Sequence, residues 1–182
     1  MAKNNRDIDR AVKVEAIELA ATTLFTEQGY ESTSMAKVAQ HAGVATNTLY
    51  WYYKNKDEIL VSVLNRLVNE GLTGFSLVAT EPLNKQIMWL LNKLGQVNTL
   101  ISTVHSKVEH SAEIRKWHDQ FHLILDQFLI SQLLTRGIDK KQASLEAAIV
   151  TFVVEGLLSH SYPKQQQELI VNLLIKEHLG NA

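Results

Sequence analysis

The stretch MAKVAQHAGVATNTLYWYY, residues 35–53, decides how the rest of the chain is read. A helix-turn-helix needs two short helices that cross steeply, so the crossing point needs a small side chain, which Ala39 supplies. The tight turn between them needs a residue that tolerates positive φ, and Gly43 stands four positions later. The two helices must also share a small core, and Val38 and Ala42 before the turn are matched by Val44, Leu49 and Tyr52 after it. The second helix, about Thr46 to Tyr52, can then lie in a DNA major groove with its N-terminal residues on base edges. Between Glu31 and Asp57 there is no acidic residue, while Lys37, His41, Lys54 and Lys56 accompany Tyr50, Trp51, Tyr52 and Tyr53. A locally positive, aromatic surface is the electrostatic footprint of a nucleic-acid binder, and the whole-chain formal charge of −1 averages it away.

Outward from that block, helical periodicity governs Val12 to Leu179 and no period-two strand is found, which gives an all-α class with about nine helices. Residues 1 to about 9 are polar and expected to be disordered, with Lys3, Arg6 and Arg10 in reach of a phosphate backbone. A first helix is expected from Arg10 to Gln28, stopped by Gly29, and Thr33 or Ser34 caps the second. A fourth runs from about Lys56 to Leu77, with Ile59, Leu60, Val63, Leu64 and Leu67 on one face. Helices five, six and seven are expected near Pro82–Gln96, Asn98–Glu109 and Ala112–Arg136. Asp139, with Gln142 three residues on, reads as a capping box opening helix eight, Lys140 to His160. Pro163 starts helix nine, which is expected to run to about Leu179.

Composition removes whole classes of function. The 182 residues include no cysteine, which excludes disulfides, cysteine-ligated zinc, iron–sulfur clusters and thiol nucleophiles. A charged fraction of 20% beside 46% apolar residues describes a globular chain with enough length for a real core. No apolar run is read as approaching the roughly 20 residues that cross a bilayer, and the polar N-terminus lacks the apolar stretch of a signal peptide. The cytoplasm, without membrane attachment, is the expected compartment.

Four segments then fall into one pattern: AATTLFTEQGY at 20–30, Thr33-Ser34-Met35, VAQHAGV at 38–44 and TLYWYYKNK at 48–56. Together they resemble the N-terminal domain of the tetracycline-repressor-like (TetR) family, over about the first third of the chain. VVEGLL at 153–158 is similar to the penultimate helix of many members. The resemblance implies a homodimeric, ligand-responsive transcription factor, usually a repressor, that binds a double-stranded, palindromic DNA operator. It implies residues 1–55 as the helix-turn-helix DNA-binding domain and 56–182 as a helical ligand-binding and dimerisation domain. Carried over by position, Thr46, Asn47, Thr48, Tyr50 and Trp51 become candidates for groove contacts. Thr33, Tyr52 and Lys56 match positions that hold phosphates, and Lys37 is a further candidate. Leu49 and Tyr53 are expected to pack inward, while Tyr50 and Trp51 divide between core and groove. The chain departs from the family at Ala45, where a serine commonly caps the recognition helix, and at Asn47, where glycine is frequent.

The same resemblance implies a small-molecule cavity inside helices four to seven, with no cofactor. Trp89, Ser102, His105, Trp117, Phe121, His122 and Phe152 are the candidate ligand contacts, with Asn98, Glu109 and Phe128 also available. Taken singly, Trp89, Phe121 and Phe128 read as ordinary core rather than as ligand contacts. Two triplets at i, i+4 and i+8, His105–Glu109–Glu113 and His118–His122–Asp126, would offer nitrogen and oxygen ligands to a metal if they converged. That spacing also belongs to solvated pairs that stabilise a helix, and no metal is assigned. Helices eight and nine carry more apolar side chains than one bundle needs. Leu145, Ile149, Phe152, Val153, Gly156, Leu157, Ile170, Leu173 and Leu174 are the expected faces of a two-fold dimer.

An enzyme is excluded by the lack of a G-x-S-x-G elbow, an H-E-x-x-H pair, a phosphate-binding glycine loop or a dinucleotide fingerprint. Ser159-His160-Ser161 lacks a neighbouring acid in sequence and falls at a helix end. An architectural DNA-binding protein, or a helical ligand carrier without inducer control, is the alternative.

Overall fold

The structure, a computed structural model, describes residues 5–160 and 162–176. Among them are nine helices and no strand: α1 (Asn5–Glu27), α2 (Met35–His41), α3 (Thr46–Tyr52), α4 (Lys56–Phe75), α5 (Leu83–Gln96), α6 (Asn98–Lys107), α7 (Ala112–Thr135), α8 (Lys140–Ser159) and α9 (Lys164–Leu174). Lys3, the side chain of Arg6, Ser161 and the expected last turn of helix nine lie outside the described residues. Most expected ends agree within two residues. The exception is α1, which begins five residues before Arg10, where disorder was expected. Asp9 near its start pairs with Lys13 one turn on at 2.8 Å, and negative charge at a helix N-terminus complements the helix dipole.

The chain gathers into two compact units, residues 1–69 with 99–117, and residues 70–98 with 118–182. The grouping differs from a single cut after residue 55: α4 up to Asn69, all but the first residue of α6 and the first turns of α7 fall with the N-terminal helices. In the first unit, Ile17, Ala21, Leu24 and Phe25 of α1 are buried with Val38 and Ala39 of α2 and Leu49 of α3. Ile59, Leu60 and Val63 of α4, Leu100 and Val104 of α6, and Ile114 of α7 are buried in the same unit. Each of the larger of these side chains, taken out of water, contributes about 1.5–3 kcal/mol before the entropy of ordering it is subtracted.

In the second unit, α5 packs against both α8 and α9. The core there joins Ile87 and Leu91 of α5, Leu133 of α7, five residues of α8 from Ala143 to Leu157, and Val171 and Leu174 of α9. Asp139 caps α8 by accepting from the backbone N–H groups of Lys141 and Gln142. Only half of the expected capping box forms, because the Gln142 side chain turns down the helix and donates to Glu146 Oε1 at 2.7 Å. Phe75 meets Trp89 and Phe128 edge-on, at 5.9 and 5.6 Å between centroids. Gly74 admits this cluster, since a Cβ there would come within 2.9 Å of the Trp89 ring.

One expectation about α8 needs correction. An 18-residue window of this 20-residue helix reaches a mean hydropathy of 1.3, which by length and composition alone is enough to cross a membrane. The buried face just described and its charged Lys140, Lys141, Glu146 and Glu155 fit a core helix of this unit.

Candidate nucleic-acid interface

Ser34 starts α2, its hydroxyl accepting from the Lys37 N–H at 3.2 Å. The helix ends at a turn closed by Gly43 N–H to Gln40 C=O at 3.2 Å and Val44 N–H to Ala39 C=O at 3.0 Å. Gly43 takes φ of +67°, a left-handed conformation that costs most other residues about 1–2 kcal/mol. Helix α3 follows with Ala45 as a cap that makes no side-chain bond, so the missing serine leaves the helix start without that partner.

Helical spacing then sorts the side chains of α3. Leu49 is fully buried and Tyr53, just past the last turn, is nearly so. Thr46 and Asn47 are exposed, Thr48 and Tyr52 half-buried. Tyr50 is 50% exposed and Trp51 90%. The two aromatic residues do not divide between core and surface; both face outward. A large aromatic ring left in water, in a stretch that also carries exposed Lys54 and His41 and has no acid between Glu31 and Asp57, has the composition of a contact surface.

Two tyrosines hold this surface in place. The Tyr53 hydroxyl donates to Glu18 of α1 at 3.2 Å and lies 3.0 Å from the Ser62 hydroxyl of α4, which donates to the same carboxylate. Burial pushes the Tyr53 phenol up to about 12, with Ser62 opposing and the Glu18 charge adding to the rise. Tyr30 donates to Asp57 and carries an ammonium group on its ring from two helices, Lys56 at 4.1 Å and Lys107 at 4.8 Å from the centroid. Burial, then the bond to Asp57, raises the Tyr30 phenol well above its ordinary value. Lys107 also pairs with Glu31 at 2.8 Å, and this bond holds the Glu31 carboxyl below the usual carboxylate range.

These contacts revise the expected phosphate ligands. Thr33 is buried, its hydroxyl donating to the carbonyls of Gly29 at 2.9 Å and Leu24 at 3.4 Å, so its side chain closes the α1–α2 loop and is not presented to a phosphate. Lys56 donates to the Tyr30 carbonyl at 2.7 Å, and burial lowers its pKa; it braces the loop. Lys37 is half-buried and donates to Gln28. The Tyr30–Lys107 contact had no sequence signal, because the two residues stand 77 positions apart on elements with no shared pattern.

The candidate ligand contacts are split between the units. In the first, Ser102 and His105 are exposed, and Trp117 donates its indole N–H to Asn65 at 2.8 Å. Glu109, one turn from His105, accepts from Arg115 at 3.2 Å. An open hollow of about 320 Å³ in this unit is lined by Tyr52, Tyr53, Glu58, Val61, Ser62, Asn65 and Glu113, none of them expected as ligand contacts. In the second unit, Trp89 belongs to the aromatic cluster and Phe121 lies edge-on to His122 at 5.8 Å. Phe152 is 71% exposed, which removes it from any interior of its own unit. Among the expected dimer residues, Leu145, Phe152 and Leu173 are exposed and Ile149, Val153, Gly156 and Ile170 half-buried. Leu157 and Leu174 are buried in the unit's own core and are unavailable to a partner; exposed Leu169 extends the stripe instead.

A family model described as bacterial regulatory proteins, tetR family, matches residues 17–63, the segment that holds α2, α3 and their supports. The chain is similar to an HTH-type transcriptional regulator of unassigned role, YhgD of Bacillus subtilis strain 168, at 41% identity over 163 residues, covering 88% of this chain and 78% of that one. It also resembles the fatty acid metabolism regulator protein of the same organism, at 39% identity over 51 residues. There the match covers 28% of this chain and 26% of the relative, so it spans only about a quarter of that protein's length. Among solved structures, a transcriptional regulator from Rhodococcus sp. Rha1 superposes with a TM-score of 0.77 at 20% identity, covering 91% of this chain and 95% of the other. That likeness concerns the fold.

Proposed function

The chain belongs to the tetR family of bacterial regulatory proteins, DNA-binding transcriptional regulators that are not enzymes, and from that premise we propose a homodimeric repressor released from a palindromic operator by a small molecule. On this reading residues 1–55 carry DNA recognition and 56–182 ligand binding and dimerisation, a functional division that does not coincide with the two compact units. The observation that carries the reading is the division of labour on α3: Leu49 and Tyr53 anchor the helix, while Thr46, Asn47, Tyr50 and Trp51 stand exposed within an acid-free stretch. Asn47 suits an adenine edge and Thr46 a base edge or thymine methyl, while Lys54 is suited to a phosphate.

One short helix reads few base pairs, so two copies related by a two-fold axis are needed to read two half-sites. The exposed apolar residues of α8 and α9 supply the face for that pairing. Release requires a ligand with differential affinity for two arrangements of the reading domain. Lys107 at the end of α6 and Lys56 at the start of α4 both grip Tyr30, so a displacement of either helix reaches the loop ahead of α2.

The test is binding of the purified protein to DNA upstream of its own gene, with random-sequence competitor and a salt series. Saturable, competitor-resistant binding to a palindrome, by one dimer or more, is the expected result. Weak binding that salt abolishes equally for all sequences indicates an architectural protein. No DNA binding, with a tightly held small molecule, indicates a carrier.

A further inference from the structure

His118 and His122 stand one turn apart on α7, with ring centroids 4.4 Å apart and planes tilted by 53°. Each offers a ring nitrogen, and those nitrogens lie within 4.8 Å of each other. From α8, Glu155 brings Oε1 to 3.6 Å from His122 Nε2. Ligands on a tetrahedral zinc ion at bond lengths of about 2.0–2.2 Å sit roughly 3.3–3.6 Å apart, so the nitrogen–oxygen spacing already fits a shared ion. The histidine nitrogens, within 4.8 Å of each other, would have to close to that spacing when an ion binds. Asp119 lies 3.4 Å from His118 Nδ1, where a carboxylate orients a ligating imidazole by accepting its other N–H. The side chains of His118, His122 and Glu155 are 24%, 27% and 37% exposed, shielded from bulk water yet reachable from it.

We propose that His118, His122 and Glu155 form a binding site for a divalent transition metal of the zinc class. Two imidazoles and one carboxylate are borderline ligands, suited to zinc and poorly suited to magnesium or calcium, which prefer all-oxygen shells. Three protein ligands leave a fourth position to water or to an oxygen- or nitrogen-bearing molecule. The ion would tie α7 to α8 within the second unit. The sequence triplet His118–His122–Asp126 contains two of these ligands; the third comes from α8 and not from Asp126. The proposal needs nothing from the DNA-binding reading, since its readout is the metal alone.

The experiment uses full-length protein freed of any affinity tag and stripped with chelator, titrated with zinc by calorimetry against a competing chelator. One equivalent per chain is expected, with a rise in melting temperature as the ion favours the folded state. Cobalt in place of zinc gives the visible d–d absorption of a four-coordinate site. His122→Ala and Glu155→Gln each lower zinc affinity by on the order of 100-fold or more, since outer-shell changes alone cost 10–100-fold. His160→Ala, a histidine of the same unit whose ring lies near Tyr162, leaves it unchanged. Should His122→Ala misfold by circular dichroism, Glu155→Gln carries the comparison alone. Absence of stoichiometric zinc binding, or wild-type affinity in folded His122→Ala or Glu155→Gln, overturns the proposal.

Discussion

Leu49 and Trp51 are two residues apart on one seven-residue helix, and the structure gives them opposite work. Leu49 lies in the core of its unit, so Leu49→Ala is expected to cost about 2–5 kcal/mol of stability in urea unfolding. Trp51→Ala and Asn47→Ala should leave the unfolding midpoint within error. Each is expected to weaken operator binding by about 1–3 kcal/mol, read by fluorescence anisotropy of labelled DNA. Tyr53 gives a pH test. Its phenol rises from 10.0 to about 12 on folding, so it contributes stability that is full below pH 10 and lost as pH rises through 12. Comparing wild type with Tyr53→Phe across that window, by urea unfolding, isolates the contribution. The inward packing of Leu49 and Tyr53 follows from helical spacing and was legible in the sequence, whereas the outward direction of both Tyr50 and Trp51 was not, because an aromatic residue suits core and surface alike. The burial of Thr33 and the engagement of Lys56 were not either, because a motif records residue types and says nothing of the carbonyls they turn towards.

Elements were legible wherever a local signal marks their ends. Ser34, Asp139 and the glycines at 29, 43 and 137 punctuate the chain, and all three glycines adopt positive φ. Gly43 sets the angle between α2 and α3, and open space surrounds it, so Gly43→Ala meets backbone strain without a clash. About 1–2 kcal/mol of stability should be lost, with operator affinity falling further than stability as the α2–α3 angle relaxes. A thermal melt beside a DNA titration separates the two effects. The early start of α1 was not legible because its first residues carry no apolar period to reveal it. The division of α4 between two units was hidden for a different reason. A helix shows the same period whether its neighbours change along its length or not.

For the whole molecule, the surplus of apolar side chains on α8 and α9 was visible in the sequence, but not which of them face outward. Helix α8 is apolar on nearly every side, so period cannot separate Leu157, which is buried, from Phe152, which is not. A homodimer built on this stripe should have a melting temperature that rises with protein concentration. Phe152→Lys is expected to yield folded monomer in light scattering and to abolish operator binding while preserving helical content. The three tryptophans carry a last consequence, because they occupy three different surroundings. Trp51 is almost wholly in water, Trp89 sits among Phe75 and Phe128, and Trp117 is hydrogen-bonded to Asn65. The molecule therefore holds its own optical labels. The longest-wavelength part of its fluorescence is expected from exposed Trp51, the residue proposed to enter the DNA groove, and the remainder from rings seated in the protein. Engagement of an operator would quench or blue-shift that red edge first, so an unlabelled sample reports its own docking by colour.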